Sequence, residues 1–597
     1  MDKFTGKNLG LQKMNNTKRI SIKVAGESGQ GINAIGEVIA RALKSAGYYT
    51  FGYREYPSVI KGGWASHQTD VAPHPINSSQ QKADIMLCFS RASIHAYLST
   101  LKEGGQIIHM SPQLELTLEE EKFIKQNSMK IAYFPADDIA KEVGGSSIMA
   151  NSVIVGALWQ LLGQKLEVLN KVITREFAHK QDVIGPNLKC IKVGFESDLY
   201  KLTELKINFP STNSCKNDAL LTGNHLVALG AVAAGVRAYF AYPMTPSSSI
   251  LTYLANIYHE TGMLVKQLDD EISVAQFAIG ANFMGTRSLV ATSGGGFDLM
   301  TESVSLAQMI ETPFVCILAQ RPGPATGLPT WTASGDLNVA IYGGHGEGPR
   351  CVIAISDGKS AYSLIQHAFN ISEKFQIPVI VLTDKQIAES LFQVDDLPKD
   401  VQVIRSLPDA KILKKLNRHD RFKTTSSGIS PRWFPGQTET TYVANSDEHL
   451  EDGSLTEEAQ TSLAMNGKRL RKLDTLLKEI PGPQLYGPRD SSLTLVGWGS
   501  VKNTVLDIME SWNGKNAKNN INYLHFEYLY PLKLSNLRKL TAKKQPMVLV
   551  ENNAFGQLGK QIAQESGFVF KDKLLKYDGR PFFIEDILDY LTERIKK

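Results

Sequence analysis

Between Gly223 and Ala319 the chain repeats one pattern: a short, β-prone apolar run, then a longer stretch with apolar residues at helical spacing. The periodicity predicts helices over 223–236, 247–261, 271–284 and 297–310, and strands over 237–242, 263–268, 288–292 and 314–319. Strands separated by helices do not pair as hairpins, because each helix carries the chain back to the far end of the sheet. The pattern therefore predicts a parallel, doubly wound sheet that binds ligands at the carboxyl ends of its strands.

The 597 residues are too many for one hydrophobic core. An earlier α/β pattern opens with an alternating strand at Arg19–Val24, a glycine turn from Gly26 to Gly31 and a helix stopped by Gly47. Strands over 84–90, 106–110 and 130–135 and a helix over 148–162 follow. Three α/β domains are expected: 19–204, 223–400 and 486–597, the last with strands over 493–498 and 547–550. Between them lie a flexible tail (1–18), a polar linker (205–222) and an extended, subunit-wrapping segment (401–485).

Composition narrows the partners. A formal net charge of +5 with no dense Lys/Arg block gives no expectation of nucleic-acid binding. No signal-peptide core or membrane-length apolar run is present, so a cytoplasmic protein without membrane attachment is expected. The five cysteines are scattered with no C-x-x-C pair, which predicts reduced thiols and neither zinc nor an iron–sulfur cluster on this chain.

Three residues stand where the predicted strands end. The turn Tyr242-Pro243-Met244-Thr245-Pro246 follows the strand over 237–242, and its two prolines fix the direction of Thr245. Glu271 opens the next helix but one. Arg321 follows the strand over 314–319 and begins a rigid Pro/Gly loop. By residue type alone, Thr245 and Ser247 also suit helix caps, Asp269, Asp270 and Glu271 suit a helix N-terminus, and Arg321 suits a solvent-facing side chain.

Four segments in order resemble the 2-oxoacid:ferredoxin oxidoreductases. Tyr242–Ser247 (YPMTPS) is similar to that family's Y-P-I-T-P motif, and Asp270–Ala275 to its glutamate-bearing helix. Thr292–Phe297 resembles T-S-G-P-G-F with Gly295 in place of proline, and Gln320–Thr330 resembles R-x-G-P-S-T-G-L-P-T. Residues 19–200 are similar to the family's gamma subunit, and 486–597 to a transketolase C-terminal domain. The resemblance thus implies an alpha subunit with a fused gamma domain, whose second domain is of the pyrimidine-binding thiamine-diphosphate type.

The resemblance implies roles as well. Glu271 would hold the aminopyrimidine of thiamine diphosphate, since a carboxyl in an apolar pocket shares a proton readily. Arg321 would grip the oxoacid carboxylate through parallel hydrogen bonds that lysine cannot reproduce. Thr245 and Tyr242 would lie at the substrate, and Pro243, Thr245, Gly294 and Gly295 beside the cofactor. Gly29, Gln30 and Gly31 would line a coenzyme A region. The sequence contains no G-D-G motif with a spaced N-N; Gly335-Asp336 lacks the second glycine. In the family a beta subunit carries diphosphate, Mg2+ and a 4Fe-4S cluster, so this chain would supply half an active site.

The expected activity is coenzyme-A-dependent oxidative decarboxylation of a 2-oxoacid, 2-oxoglutarate or pyruvate, with electrons passing through the beta subunit to ferredoxin. Alternatives are an arylpyruvate-specific or non-oxidative thiamine enzyme and a catalytically silent assembly subunit, disfavoured by the joint presence of Thr245, Glu271 and Arg321. A nicotinamide dehydrogenase is a third, disfavoured because Gly26–Gly31 reads G-x-x-G-x-G.

Overall fold

The computed structural model describes residues 19–59, 62–144, 146–199 and 205–596, so the expected tail over 1–18 lies outside it. Its strands form three sheets. The central one runs, in spatial order, Tyr528–Tyr530, Cys351–Ala354, Pro378–Asp384, Phe314–Gln320, Ser288–Thr292, Ala238–Ala241 and Leu264–Gln267. Every neighbouring pair is parallel except the first.

Side chains alternate across this sheet as strand geometry requires. Tyr239, Leu289, Val315 and Ile317 enter one core, whereas Phe240, Val290, Cys316 and Leu318 enter the other. Helices Gly223–Ala233 and Gly358–Phe375 cover the first face, and Glu271–Phe283 and Gly294–Met309 the second. Burial on both faces explains why these strands read as nearly unbroken apolar runs. The helix expected over 247–261 is two, Ser248–Asn256 and Tyr258–Thr261.

The first sheet has eight strands, ordered Lys130–Tyr133, Leu101–His109, Ala83–Cys88, Ile20–Glu27, Trp64–Ala72, Tyr49–Glu55, Leu391–Val394 and Ala219–Thr222. Its last two members lie outside the 19–204 segment. Ala219–Thr222, within the expected linker, pairs antiparallel with Leu391–Val394, and Leu391 pairs in turn with Gly52. Hydrogen-bonded backbone therefore joins the first two segments. The third sheet runs Gln484–Tyr486, Ile521–Phe526, Leu493–Trp498, Met547–Glu551 and Asp572–Leu575. Its Trp498, Leu524 and Leu549 share a core with the second face of the central sheet.

The segment expected to wrap another subunit lays its buried charges on its own chain. Glu373 takes Arg287 at 2.8 Å, Arg405 at 3.0 Å and Arg432 at 3.2 Å. Glu311 pairs with Lys468, and with Lys472 at 2.6 Å, both from the long helix Ala459–Glu479. All five cysteines are buried and unpaired. Among the described residues, no helix is long and apolar enough to cross a membrane.

Candidate active site

Because the central strands are parallel, their carboxyl ends meet at one edge. Six of them release the chain there: at Tyr242, Leu268, Ser293, Arg321, Ile355 and Lys385. The strand Ala238–Ala241 sits between the ones that follow it in sequence, Leu264–Gln267 on one side and Ser288–Thr292 on the other. That reversal opens a crevice at the edge, the usual place for a ligand in such a sheet.

Thr245 and Arg321 meet in this crevice. Arg321 Nη1 donates to the main-chain oxygen of Thr245 at 2.8 Å. Burial draws the guanidinium below its usual range, with Asp336 opposing. The turn is also tied to the neighbouring strand end, for the Ser293 hydroxyl donates to Met244 Sδ. Pro243 and Tyr242 are exposed at the crevice mouth.

Glu271 is buried at 4% exposure in the first turn of its helix. The adjoining Asp270, not Glu271, caps that helix, accepting from Ser273 N at 2.6 Å. Glu271 is thus released from the capping role, and its buried Oε1 has no hydrogen-bond partner. A Cβ on Gly296 would stand 2.8 Å from this oxygen and 2.0 Å from Thr292 Oγ1. The absent side chain at 296 brings the carboxyl against the start of helix Gly294–Met309.

The loop after Arg321 folds over the same helix start. Its closure needs glycine at 327, where φ is +54° and a Cβ would lie 1.9 Å from Pro322 O. Further along, Thr332 N donates to Gly579 O at 3.1 Å, Ser334 N donates to Asn552 O at 2.7 Å, and the Arg580 guanidinium lies 3.3 Å from the centre of the Trp331 ring. The C-terminal segment therefore holds the loop that follows Arg321.

Thr245, Glu271, Arg321, Gly294 and Gly295 share this edge. Gly29, Gln30 and Gly31 do not belong to it. They line a separate, mainly apolar cavity of about 600 Å³, together with Phe89, Met110, Phe177 and Lys180 of the first segment. Asp336, which the sequence shows only as part of an incomplete G-D-G, lies against Gly294.

Two family profiles match: "Pyruvate ferredoxin/flavodoxin oxidoreductase" over residues 21–197, and "Pyruvate flavodoxin/ferredoxin oxidoreductase, thiamine diP-bdg" over residues 229–466. The 2-oxoacid:ferredoxin oxidoreductase subunit alpha of a Sulfolobus species is 30% identical, with 97% of each chain covered. The chain belongs to the 2-oxoacid:ferredoxin oxidoreductase alpha-subunit family. Among other members of this oxidoreductase family, the 2-oxoglutarate oxidoreductase subunit KorA of Mycobacterium tuberculosis is 25% identical over 96% of this chain and 90% of its own. The solved 2-oxoglutarate:ferredoxin oxidoreductase from Magnetococcus marinus, with 2-oxoglutarate, coenzyme A and succinyl-CoA bound, superposes with a TM-score of 0.88 at 28% identity. That match covers 97% of this chain and 99% of the other.

Proposed function

We propose that this chain is the alpha half of a cytoplasmic, coenzyme-A-dependent 2-oxoacid:ferredoxin oxidoreductase acting on 2-oxoglutarate or pyruvate. A beta subunit completes its site with Mg2+, the cofactor diphosphate and a 4Fe-4S cluster. The observation that carries the reading is the unpartnered, buried Oε1 of Glu271 at the same strand edge as Arg321.

That oxygen suits thiamine diphosphate. A buried carboxyl oxygen without a partner is costly unless a ligand satisfies it, and an aminopyrimidine ring nitrogen that shares a proton with it does so. Bound there, thiamine diphosphate supplies a nucleophilic carbon for the keto group and a sink for the electron pair that carbon dioxide leaves behind. Glu271 holds the ring and shares its proton. The chain at Pro243 and Thr245, with the glycines at 294 and 295, leaves room for the cofactor. Arg321, fixed by Thr245 O through Nη1, turns the rest of its fork towards the oxoacid carboxylate. Tyr242 and Thr245 flank the substrate. The cavity at Gly29–Gly31 takes coenzyme A beside a helix N-terminus, which suits phosphate.

Docking of the beta subunit finds support in the same edge. Helix Glu271–Phe283 is apolar on both sides, exposing Ile272 and Phe277, and helices apolar all round are normally buried.

The test is coenzyme-A-dependent dye reduction by the chain reconstituted with its beta partner. Glu271→Gln is expected to lower kcat by about 10²–10⁴-fold. Arg321→Ala is expected to raise the oxoacid KM about ten- to hundredfold, the scale of a lost charge-assisted hydrogen bond. Full turnover by both variants would overturn the assignment.

A further inference from the structure

Asp336 immediately precedes the short helix Leu337–Tyr342, yet its side chain makes no cap. Its main chain is fixed from below: Asp336 N donates to Gln320 Oε1 at 2.9 Å, and Gln320 Nε2 donates to Thr383 O at 3.2 Å. The carboxyl is thereby aimed at the start of helix Gly294–Met309, where a Cβ on Gly294 would stand 2.8 Å from Oδ2. That Oδ2 is buried and has no hydrogen-bond partner. Two carboxyl groups, Glu271 at Gly296 and Asp336 at Gly294, therefore flank a single helix turn, each with one unsatisfied oxygen. The charged groups that face Asp336 are Asp298, from that helix, and Arg321, from the loop beyond the adjoining strand.

We propose that Asp336 is a substrate-positioning acid: it takes up one proton from solvent as a 2-oxoacid binds, and donates through Oδ2 to the carboxylate that Arg321 holds. The proposal rests on Arg321 gripping that carboxylate. An oxoacid bound to Arg321 adds a second negative charge near Asp336 and neutralises the cation that had favoured its ionised form. Both changes favour the protonated acid. Once protonated, Oδ2 is a donor beside an acceptor, and the unsatisfied atom is satisfied. The free protein is poised for this uptake, since burial pushes the Asp336 carboxyl up to about 6, with Asp298 adding to the rise and Arg321 opposing it. By linkage, the acid form binds substrate better, so affinity is highest below pH 6 and falls as Asp336 ionises.

The experiment uses the reconstituted complex with beta subunit. Steady-state KM and kcat for the oxoacid are followed from about pH 5.5 to 8.5. Binding of oxamate, whose amide carbonyl resists attack, is measured calorimetrically in buffers of different ionisation heat to count protons. Wild type is expected to take up close to one proton per oxamate near pH 7. Its KM is expected to rise about a hundredfold across the range, because near-complete uptake needs about two units of pKa change at one decade each, while kcat changes little. Asp336→Asn is expected to flatten the KM profile and abolish the uptake. Asp298→Asn, an exposed change, is expected to move the midpoint to lower pH. A KM slope and proton count unchanged in Asp336→Asn would overturn the proposal, as would an unmoved midpoint in Asp298→Asn. Arg321→Ala separates the two readings. If it leaves oxamate affinity intact, the carboxylate grip itself is wrong. If it weakens affinity while Asp336→Asn keeps the wild-type slope, only the role of Asp336 falls.

Discussion

Gly296 has neighbours that no larger residue would permit. A Cβ there would overlap Thr292 Oγ1 and press on the Glu271 carboxyl, and both neighbours are buried with little room to yield. Gly296→Ala is therefore expected to lower stability by about 1–3 kcal/mol, the usual cost of overpacking, and to displace Glu271. Thermal melting would read the first effect, and thiamine diphosphate titration of the reconstituted complex the second. Undiminished cofactor affinity would show that the carboxyl does not depend on the space at 296. Glu271 and Arg321 were legible in sequence because each directly follows a strand pattern, and a strand end fixes position. Asp336 was not. What buries it is Gln320 and Gly294, sixteen and forty-two residues away, and neither leaves a local mark.

Burial on both faces decides which elements of this chain stand out in its sequence. Parallel strands buried on both faces announce themselves as apolar runs, and four of the six in the central sheet, those between residues 237 and 320, show their bounds in sequence to within a residue. Trp64–Ala72 was missed because it buries Ser66, His67, Gln68, Thr69 and Asp70 in succession, a polar string that reads as a loop. Partners distant in sequence make this burial tolerable: Arg19 lies 3.2 Å from Asp70, and Gln68 donates to Gln80 O at 2.7 Å. Helix Ala459–Glu479 is held by similar means. Burial alone would raise the Glu311 carboxyl, but Lys468, Lys472 and Arg421 outweigh it and hold the group well below its usual range. Such a carboxylate contributes stability above its unfolded value of about 4.3, and the contribution is lost as pH falls below that towards the folded value. Glu311→Ala leaves two buried lysines facing each other and is expected to cost about 3–5 kcal/mol. Urea unfolding at pH 7 would measure it, and a loss under about 1 kcal/mol would mean the lysines find other partners or shed their protons.

At the scale of the whole molecule, the three sheets close on one another yet leave the carboxyl edge of the central one bordered by apolar side chains. Ile272, Phe277, Leu299 and Leu328 are each 44–54% exposed, and they stand on the two helices and the loop that frame Glu271 and Arg321. Phe277 is half inserted already, its ring 5.7 Å from that of Phe240. Scattered apolar residues on a surface need no explanation, but several around one crevice mark a contact face. The proposed beta subunit would cover this face and exclude water from the oxoacid. Aromatic residues at the centre of such contacts carry much of the binding energy, about 2 kcal/mol or more when truncated. Phe277→Glu adds the burial of an unpaired charge. It is therefore expected to weaken association with the beta subunit at least about thirtyfold, while the isolated chain loses only the contact with Phe240, about 0.5–1.5 kcal/mol, and stays folded. Titration of labelled beta subunit would report the affinity. An unchanged affinity would place the beta subunit elsewhere, and would then require another surface to shield the edge where Arg321 and Glu271 lie.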